Sequence, residues 1–555
     1  METNKRWLDL YPEEISPTIE YENISLGGML QKISSIYPNN NAISFFGNKI
    51  NYFDLYKKTL RFSQYLSSLG VKKGDKVAIM LPNCPQAVIA FFSTLILGAI
   101  VVEINPLYTE REIQFHLVDS ESSVIIVLDS LVNKVDAIKS STGVKNVITT
   151  SIDEYFPIYL KVLYKIKMFN SEKYVSDEHI KFQSALKLGK AIEPSVEINP
   201  LKDLALLQYT GGTTGVPKGV MLTHYNLVAN TRQCNEWLYE CKTGEERVLC
   251  ILPFFHVFGL TTGMLLCVSQ AYEMILLPRF QIKEVLNTIT KSKPTLFPGT
   301  PTMYIALLNT KDLQKYNLNS INVCVSGSAP LPVEVQEQFE KVTGGKIIEG
   351  YGLTEASPVT HANLPWGIRK KGSIGLPWPD VETKIISLKD NQECNIGEVG
   401  ELWVKGPQVM QGYWKNEDET NAVLNKGWLN TGDLAYEDED GFFYIVGRKK
   451  DMIIASGFNV YPREIEEVLY EHPKVKEATV IGIPDPYRGE TVKAFIVLKE
   501  AEECSIDELD NYCRDYLASY KVPKQYEFRS ELPKTAVGKI LRRSLVDEEL
   551  NKLKK

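Results

Sequence analysis

The stretch YTGGTTGVPKG, Tyr209–Gly219, gathers small, hydroxyl-bearing and cationic residues into one short segment. Gly211, Gly212 and Gly215 allow an oxyanion close to the backbone, and the N–H groups and hydroxyls of Thr210, Thr213 and Thr214 can form an anion nest ending at Lys218. This is not a P-loop of the GxxxxGK[ST] kind: Pro217 stands five places after Gly212, and Lys218 is followed by Gly219. LALLQY before it and GVMLT after it are short apolar runs that read as strands, so the loop joins two strands and no helix N-terminus points at its ligand. A flexible Gly-rich surface loop is the plainer alternative.

Four further segments carry polar residues that a fold does not need for its own sake. EGYGLTEASP begins with Glu349, Gly350, Tyr351 and Gly352 after the strand-like KII. A glycine turn there places Tyr351, Thr354 and Glu355 at a strand end, where α/β sheets bind ligands. Tyr351 can stack on a base and Thr354 can meet a phosphoryl oxygen. Glu355 can hold Mg²⁺, which takes hard oxygen ligands and keeps substrate phosphates as partners. A capped turn with a solvated Glu is the alternative. In GWLNTGDLA, Asp433 follows a Thr-Gly turn and can accept both hydroxyls of a ribose, or serve as an ordinary turn residue. His256 lies in the aromatic run PFFHVFG, the usual setting of a core histidine. Lys539 follows Gly538 in LPKTAVGKILRR, where a lysine is ordinarily just solvated.

The elements that must position these residues follow from pattern. At 555 residues the chain exceeds one core, since a domain averages roughly 150 residues. Strand-like runs such as KVAIML, SVIIVL and INVCVSGS alternate with helical ones such as PVEVQEQFEKVTG through the first 340 or so residues, which predicts parallel sheets covered by helices. Beyond about residue 372, ETKIISL and GELWVKG lie between turns and predict a small barrel or antiparallel sheet. After GRKKD, the helix REIEEVLYEH and the strands ATVIGIP and KAFIVLK predict a separate small α+β domain.

Composition narrows the function. Apolar residues make up 44% and charged ones 24%, ordinary for a globular protein, and the net charge of −7 argues against a nucleic-acid binder. Nine scattered cysteines without a CxxC pair, and an N-terminus without an apolar signal region, point to reduced thiols and a cytoplasmic setting. AVIAFFSTLILGAIVV, Ala87–Val102, is too short to span a bilayer and reads as a buried helix, a turn at Gly98 and a buried strand. EYFPIYLKVLYKIKMFNSEKY, Glu154–Tyr174, mixes aromatics with lysines; a packed surface helix is favoured over a membrane-interface segment.

Taken in order, YTGGTTGVPKG, EGYGLTE, TGD, GRKKDMIIASGFNVYPREIE and PKTAVGKILRR resemble, nearly end to end, the motifs of the adenylate-forming acyl-CoA synthetases. LPNCPQ, NPLYTEREI, LPFFHVFGL and KGPQVMQGYW make the chain most similar to the bacterial long-chain fatty-acid–CoA ligases. Gly447 stands where some of those ligases carry Asp.

The resemblance implies an α/β fold with a large adenylation domain over 1–449, two α/β subdomains and a small distorted β-barrel, and a mobile α+β domain over 450–555. It implies ATP, Mg²⁺ and CoA. Lys539 is expected at the carboxylate and α-phosphate, Thr354 at the α-phosphate, Glu355 on Mg²⁺, and Thr210–Lys218 on the β- and γ-phosphates. Asp433 and Arg448 are expected to hold the ribose, and Tyr351 with Gly327, Ser328, Ala329 and Pro330 to flank adenine. His256 falls at the mouth of an acyl pocket walled by Phe258–Met264, Thr300 and Met303. Lys450 is the expected hinge, and the Gly457 loop the lining of the CoA tunnel. The resemblance leaves room for a homodimer and for peripheral contact with the inner face of the cell membrane. Competing readings are a medium-chain or aryl acid–CoA ligase, a non-catalytic lipid- or nucleotide-binding scaffold, and an amino-acid-activating domain of a peptide synthetase.

Overall fold

The computed structural model describes residues 5–167, 178–210, 217–455, 458–485, 488–500, 502–535 and 538–553. Apolar runs become strands buried on both faces, and their two-residue period assigns alternate side chains to different cores. In the strand Lys76–Met80, Val77 and Ile79 join the central core while Ala78 and Met80 join another on the far side.

Two large sheets result. The first runs Leu376–Pro377, Val359–Ala362, Lys346–Gly352, Val323–Ser326, Leu296–Gly299, Arg247–Cys250, Glu273–Leu276, Asn41–Phe45, Asn48–Asn51. Its six middle strands are parallel. The second runs Gly412–Tyr413, Lys218–Thr223, Leu204–Thr210, Ile100–Glu103, Lys76–Met80, Val124–Leu128, Asn146–Thr150, Ile180–Lys181, antiparallel only at its first two pairings. The largest core contains residues of both sheets, such as Phe45 and Val248 from one and Val77 and Val101 from the other.

The helix Pro85–Ile96 belongs to this shared core. Proline at its start is tolerated because that N–H has no intrahelical partner, and Pro85 to Leu95 are all buried. Gly98, at φ +67°, then turns the chain into Ile100–Glu103. The helix–turn–strand expectation for this apolar run therefore holds. Among the described residues no helix is long and apolar enough to cross a membrane.

The antiparallel expectation after residue 372 is met by a five-stranded sheet of Glu382–Ile386, Gly400–Lys405, Trp428–Glu437, Leu424–Asn425 and Phe443–Arg448. The chain leaves it at Arg448, turns through 449–451 and enters a different sheet at Ile453–Ala455. That last sheet joins Phe458–Val460, Ile453–Ala455, Gly489–Leu498, Val475–Asp485 and Gln525–Phe528, and has its own core with the helices Pro462–Glu471 and Ile506–Tyr516.

The segment around Ile158–Lys167 departs from its expected packing. It is helical, but Ile158, Tyr159, Val162, Leu163 and Ile166 all face outward. The inner side is held by Tyr164, edge-on to Phe156, and by Lys161, which donates to the Glu154 carbonyl.

Candidate active site

The site forms where strand ends of the first sheet meet the five-stranded antiparallel sheet. Gly327 to Pro330 follow the strand Val323–Ser326, and Thr354 and Glu355 follow Lys346–Gly352. Three glycines are required for steric reasons rather than for flexibility. A Cβ at Gly327 would come to 3.0 Å from the Phe258 ring, and one at Gly352 would lie 1.9 Å from the Pro358 carbonyl oxygen. Gly432, inside TGD, adopts φ +72°. Ser328 adopts φ +69°, an uncommon conformation for a non-glycine residue.

Tyr351, expected to stack on a base, also donates a hydrogen bond from its hydroxyl to Asp433 Oδ2 at 2.6 Å. Asp433 lies inside the strand Trp428–Glu437 rather than in a plain turn, and pairs across the ladder with Arg448. Arg448 Nε stands 3.3 Å from Asp433 Oδ1. Burial, with Asp433 beside it, pushes the Tyr351 phenol far above its ordinary value, so it stays a donor. Tyr351, Asp433 and Arg448, distant in sequence, thus share one carboxylate.

Thr354 and Glu355 lie in a 3₁₀ turn, Thr354–Ala356. Glu355 Oε1 accepts from Tyr413 Oη at 2.8 Å; its other oxygen takes no hydrogen bond from the described residues. A single hard carboxylate with a free oxygen suits Mg²⁺, which keeps waters and substrate phosphates as its other ligands. Lys218 opens the strand after the Gly/Thr loop. Its ammonium lies 2.5 Å from Glu419 Oε2 and 5.1 Å from the centre of the Tyr413 ring. Thr210 and Lys218 pair across the antiparallel strands that flank the loop, as expected for a strand–loop–strand segment.

Lys539 belongs to the C-terminal unit and reaches the same place. Burial is the main cause that lowers its pKa to about 8, aided by Arg448 and Arg542 and opposed by Asp433 and Asp451. Its ammonium makes no hydrogen bond or ion pair with a described residue, and it is not simply solvated. His256 feels Lys539 as well: burial first, then that charge, lower the imidazole to about 4. His256 Nδ1 accepts from the Phe258 N–H at 3.3 Å, which leaves Nε2 as the protonated nitrogen of the neutral ring. Gly538 fixes the approach: at φ +80°, a Cβ there would lie 2.3 Å from Thr302 Oγ1. Phe258, Met264, Thr300 and Met303, the expected acyl-pocket wall, are all buried beside this junction.

Gly211, Gly212, Thr213, Thr214, Gly215 and Gly457 lie outside the described residues. Lys450 is exposed in the turn between the two sheets. Glu349 is not at the open strand end with Tyr351; it is buried and stands 3.6 Å from Arg463. Sequence reasoning did not find Tyr413, Glu419 or Thr302. Tyr413 stands in QGYW, but nothing local in that motif indicates a partner at Glu355.

Comparison with known proteins identifies the family. The model of the AMP-binding enzyme family matches residues 30–414, and that of the AMP-binding enzyme C-terminal domain matches 464–539. The long-chain-fatty-acid–CoA ligase of Bacillus subtilis (strain 168) is 52% identical over 554 residues, covering 99% of each chain. Its counterpart from Escherichia coli O157:H7 is 41% identical, also covering 99% of each. Among solved structures, the anthranilate CoA ligase AuaEII in complex with anthranoyl-AMP superposes with a TM-score of 0.85 at 28% identity, covering 95% of this chain and 97% of that one. ATP-bound MatB from Rhodopseudomonas palustris gives 0.83 at 27%, covering 95% and 99%. From strand-end loops to C-terminal lysine, this chain belongs to the adenylate-forming, AMP-binding enzyme family.

Proposed function

We propose that the chain is a long-chain fatty-acid–CoA ligase that converts ATP, a fatty acid and CoA into acyl-CoA, AMP and pyrophosphate. The observation that carries this reading is the docking of the segment before Lys539 on the large unit, where a Cβ on Gly538 would lie 2.3 Å from Thr302 Oγ1 and the charges of Asp433 and Arg448 act on the Lys539 ammonium. Full-length similarity to ligases of that name supports the acyl class.

In the first half-reaction a carboxylate oxygen attacks the α-phosphorus of ATP, the bond to the bridging oxygen breaks, and pyrophosphate leaves with the electron pair. Two anions must meet, so the site must supply positive charge in a partly dry cleft. Lys539 contributes an ammonium free to meet the carboxylate and α-phosphate. Asp433 and Arg448 hold the ribose, Tyr351 and Gly327–Pro330 flank the adenine, and Thr354 meets the α-phosphate. Thr210–Lys218 orients the β- and γ-phosphates, with Glu419 steadying Lys218. Glu355 would hold Mg²⁺, which offsets phosphate charge when bound. In the second half-reaction the CoA sulfur, its thiol proton lost, attacks the acyl carbon and AMP departs.

The second step needs a different surface at the acyl-AMP. The turn 449–451, with Lys450 as hinge, lets the C-terminal unit withdraw Lys539 and present the Gly457 loop to CoA. Chain-length preference follows tunnel depth beyond His256, since each buried CH₂ contributes about 0.8 kcal/mol. ATP-dependent consumption of CoA thiol across acids of increasing chain length tests the reading. A maximum at long chains is expected; a maximum at medium-chain or aryl acids moves the chain to the neighbouring ligase class, and no turnover with any acid overturns the assignment.

A peripheral membrane contact accompanies this activity. Ile158 (84% exposed), Val162 (52%), Leu163 (59%) and Ile166 (67%) form one outward stripe of the helix Ile158–Lys167. By sequence that helix holds three lysines and no acid, in a chain of net charge −7, and Lys161 donates inward to the Glu154 carbonyl. Apolar side chains among lysines suit an anionic lipid surface. Co-sedimentation with phosphatidylglycerol vesicles but not with phosphatidylcholine alone is expected, lost in Val162→Glu/Leu163→Glu. Equal sedimentation of that variant, or self-association that the variant abolishes, overturns the lipid assignment.

A further inference from the structure

Among the described residues, two ion pairs join the C-terminal unit to the rest of the molecule. Lys311–Glu500, at 3.9 Å, is almost fully exposed on both sides and contributes little. The other is buried: Arg463 NH2 stands 3.6 Å from Glu349 Oε1, with side chains 7% and 8% exposed. The same guanidinium NH2 donates to the Gly372 carbonyl at 3.4 Å, again across the junction, while Nε donates to Glu467 on its own helix at 2.8 Å. Glu349 begins EGYGLTE on the strand Lys346–Gly352; Arg463 is the second residue of the helix Pro462–Glu471. The pair therefore links the motif that carries Thr354 and Glu355 to the unit that carries Lys539.

We infer that Arg463 is a positioning residue: through Glu349 and the Gly372 carbonyl it holds the C-terminal unit in the orientation that presents Lys539 for adenylation. Any rotation of that unit separates the two charges. A contact present in only one orientation shifts the equilibrium by its difference between the two. The contact is of modest strength, as an interface that must open requires. The separation exceeds a direct hydrogen bond, and Glu349 Oε2 is buried with no hydrogen-bond partner among the described residues. Burial raises the Glu349 carboxyl to about 7 against the pull of Arg463 and the Leu331 amide. That incomplete satisfaction makes release from this orientation easier than for a fully paired buried carboxylate.

The inference rests on the ligase reading, and wild-type protein separates the two. Fatty-acid-dependent ATP–pyrophosphate exchange by the wild type must be present; its absence counts against the ligase reading, not against the pair. With exchange established, Arg463→Met is expected to lower it roughly tenfold, while thioester formation from supplied acyl-AMP and CoA stays unchanged or rises. Arg463→Lys, which keeps the charge, recovers part of the exchange. Glu349→Gln, on the opposite side of the junction, shifts the two half-reactions in the same sense, and the double variant is no worse than the more impaired single one. A parallel fall of both half-reactions, no change in either, or strict additivity of the two substitutions overturns the role. Should Arg463→Met fail to fold in a thermal melt, Glu349→Gln and Arg463→Lys decide by the same split.

Discussion

At the scale of single residues, the informative group is Lys539. A lysine on an open surface titrates near 10.4, whereas burial with Arg448 and Arg542 nearby brings this one to about 8. The sign of the consequence follows directly. The ammonium needed to meet two anions is present below about pH 8 and lost above it. Adenylation kcat/KM, which reports the free enzyme, should fall roughly tenfold per unit as pH rises past that value. His256 lowered to about 4 stays neutral throughout and adds no limb above pH 5. Bound ATP restores the charged form by adding phosphate charge, so the corresponding limb in kcat should lie at higher pH. Lys539→Ala should cost adenylation about 10²–10³-fold, as loss of a single preorganised charge or donor typically does, and largely spare thioester formation from acyl-AMP. Pre-steady-state pyrophosphate release across pH measures the first effect. A flat profile from pH 7 to 9.5, or equal loss of both half-reactions in Lys539→Ala, would remove Lys539 from the chemistry.

At the scale of elements, the loop that carries Lys539 is positioned by a contact involving no charge. Gly538 sits against Thr302 at the start of the helix Pro301–Leu308, at a φ that L side chains adopt poorly. Gly538→Ala adds about 1–2 kcal/mol of backbone strain and a methyl group 2.3 Å from Thr302 Oγ1. Displacing the lysine by even an ångström should lower adenylation about 10²-fold. Thr302→Ala in that background removes the clash but not the strain, so pyrophosphate exchange should recover only in part. Full activity of Gly538→Ala would show that the loop docks elsewhere during adenylation. This contact was not legible in the sequence, and the reason is physical. Strands, helices and the Gly/Thr loop follow from local pattern: Val124–Leu128 is an apolar run, Pro85 starts a helix, Gly98 takes positive φ. The motifs therefore singled out Thr354, Glu355, Asp433 and Arg448 as candidates from the sequence alone. Partners such as Tyr413 for Glu355, Glu419 for Lys218 and Thr302 for Gly538 are set by how sheets stack, and no local period encodes that. The helix Ile158–Lys167 shows the same limit: its spacing marks an apolar face but not whether that face turns inward.

At the scale of the whole molecule, the proposed two-step reaction depends on the one crossing from the antiparallel sheet of the large unit to the C-terminal sheet. Phe443–Arg448 ends in the antiparallel sheet of the large unit and Ile453–Ala455 begins the C-terminal sheet. Lys449 N donates to the Gly432 carbonyl, and Asp451 N and Met452 N both donate to the Arg448 carbonyl. The turn is thus tied at both ends, to the strand that carries Asp433 and to Arg448 itself, whereas Lys450 lies exposed between the tethers. On the proposed mechanism, rotation about this point moves Lys539 while Asp433 and Arg448 stay on the strands of the large unit. Lys450→Pro fixes one φ near −65° and restricts Lys449 before it, without removing any of these three hydrogen bonds. First-turnover pyrophosphate release should stay within about threefold of wild type, while steady-state acyl-CoA formation falls by at least about tenfold, a barrier increase near 1.4 kcal/mol. Supplying acyl-AMP should not rescue the variant, because the blocked step is the rotation rather than adenylation. Normal steady-state turnover in Lys450→Pro would move the pivot to another residue of the turn, and an equal loss in both measurements would mean that the proline disturbs Arg448 and the ribose site instead.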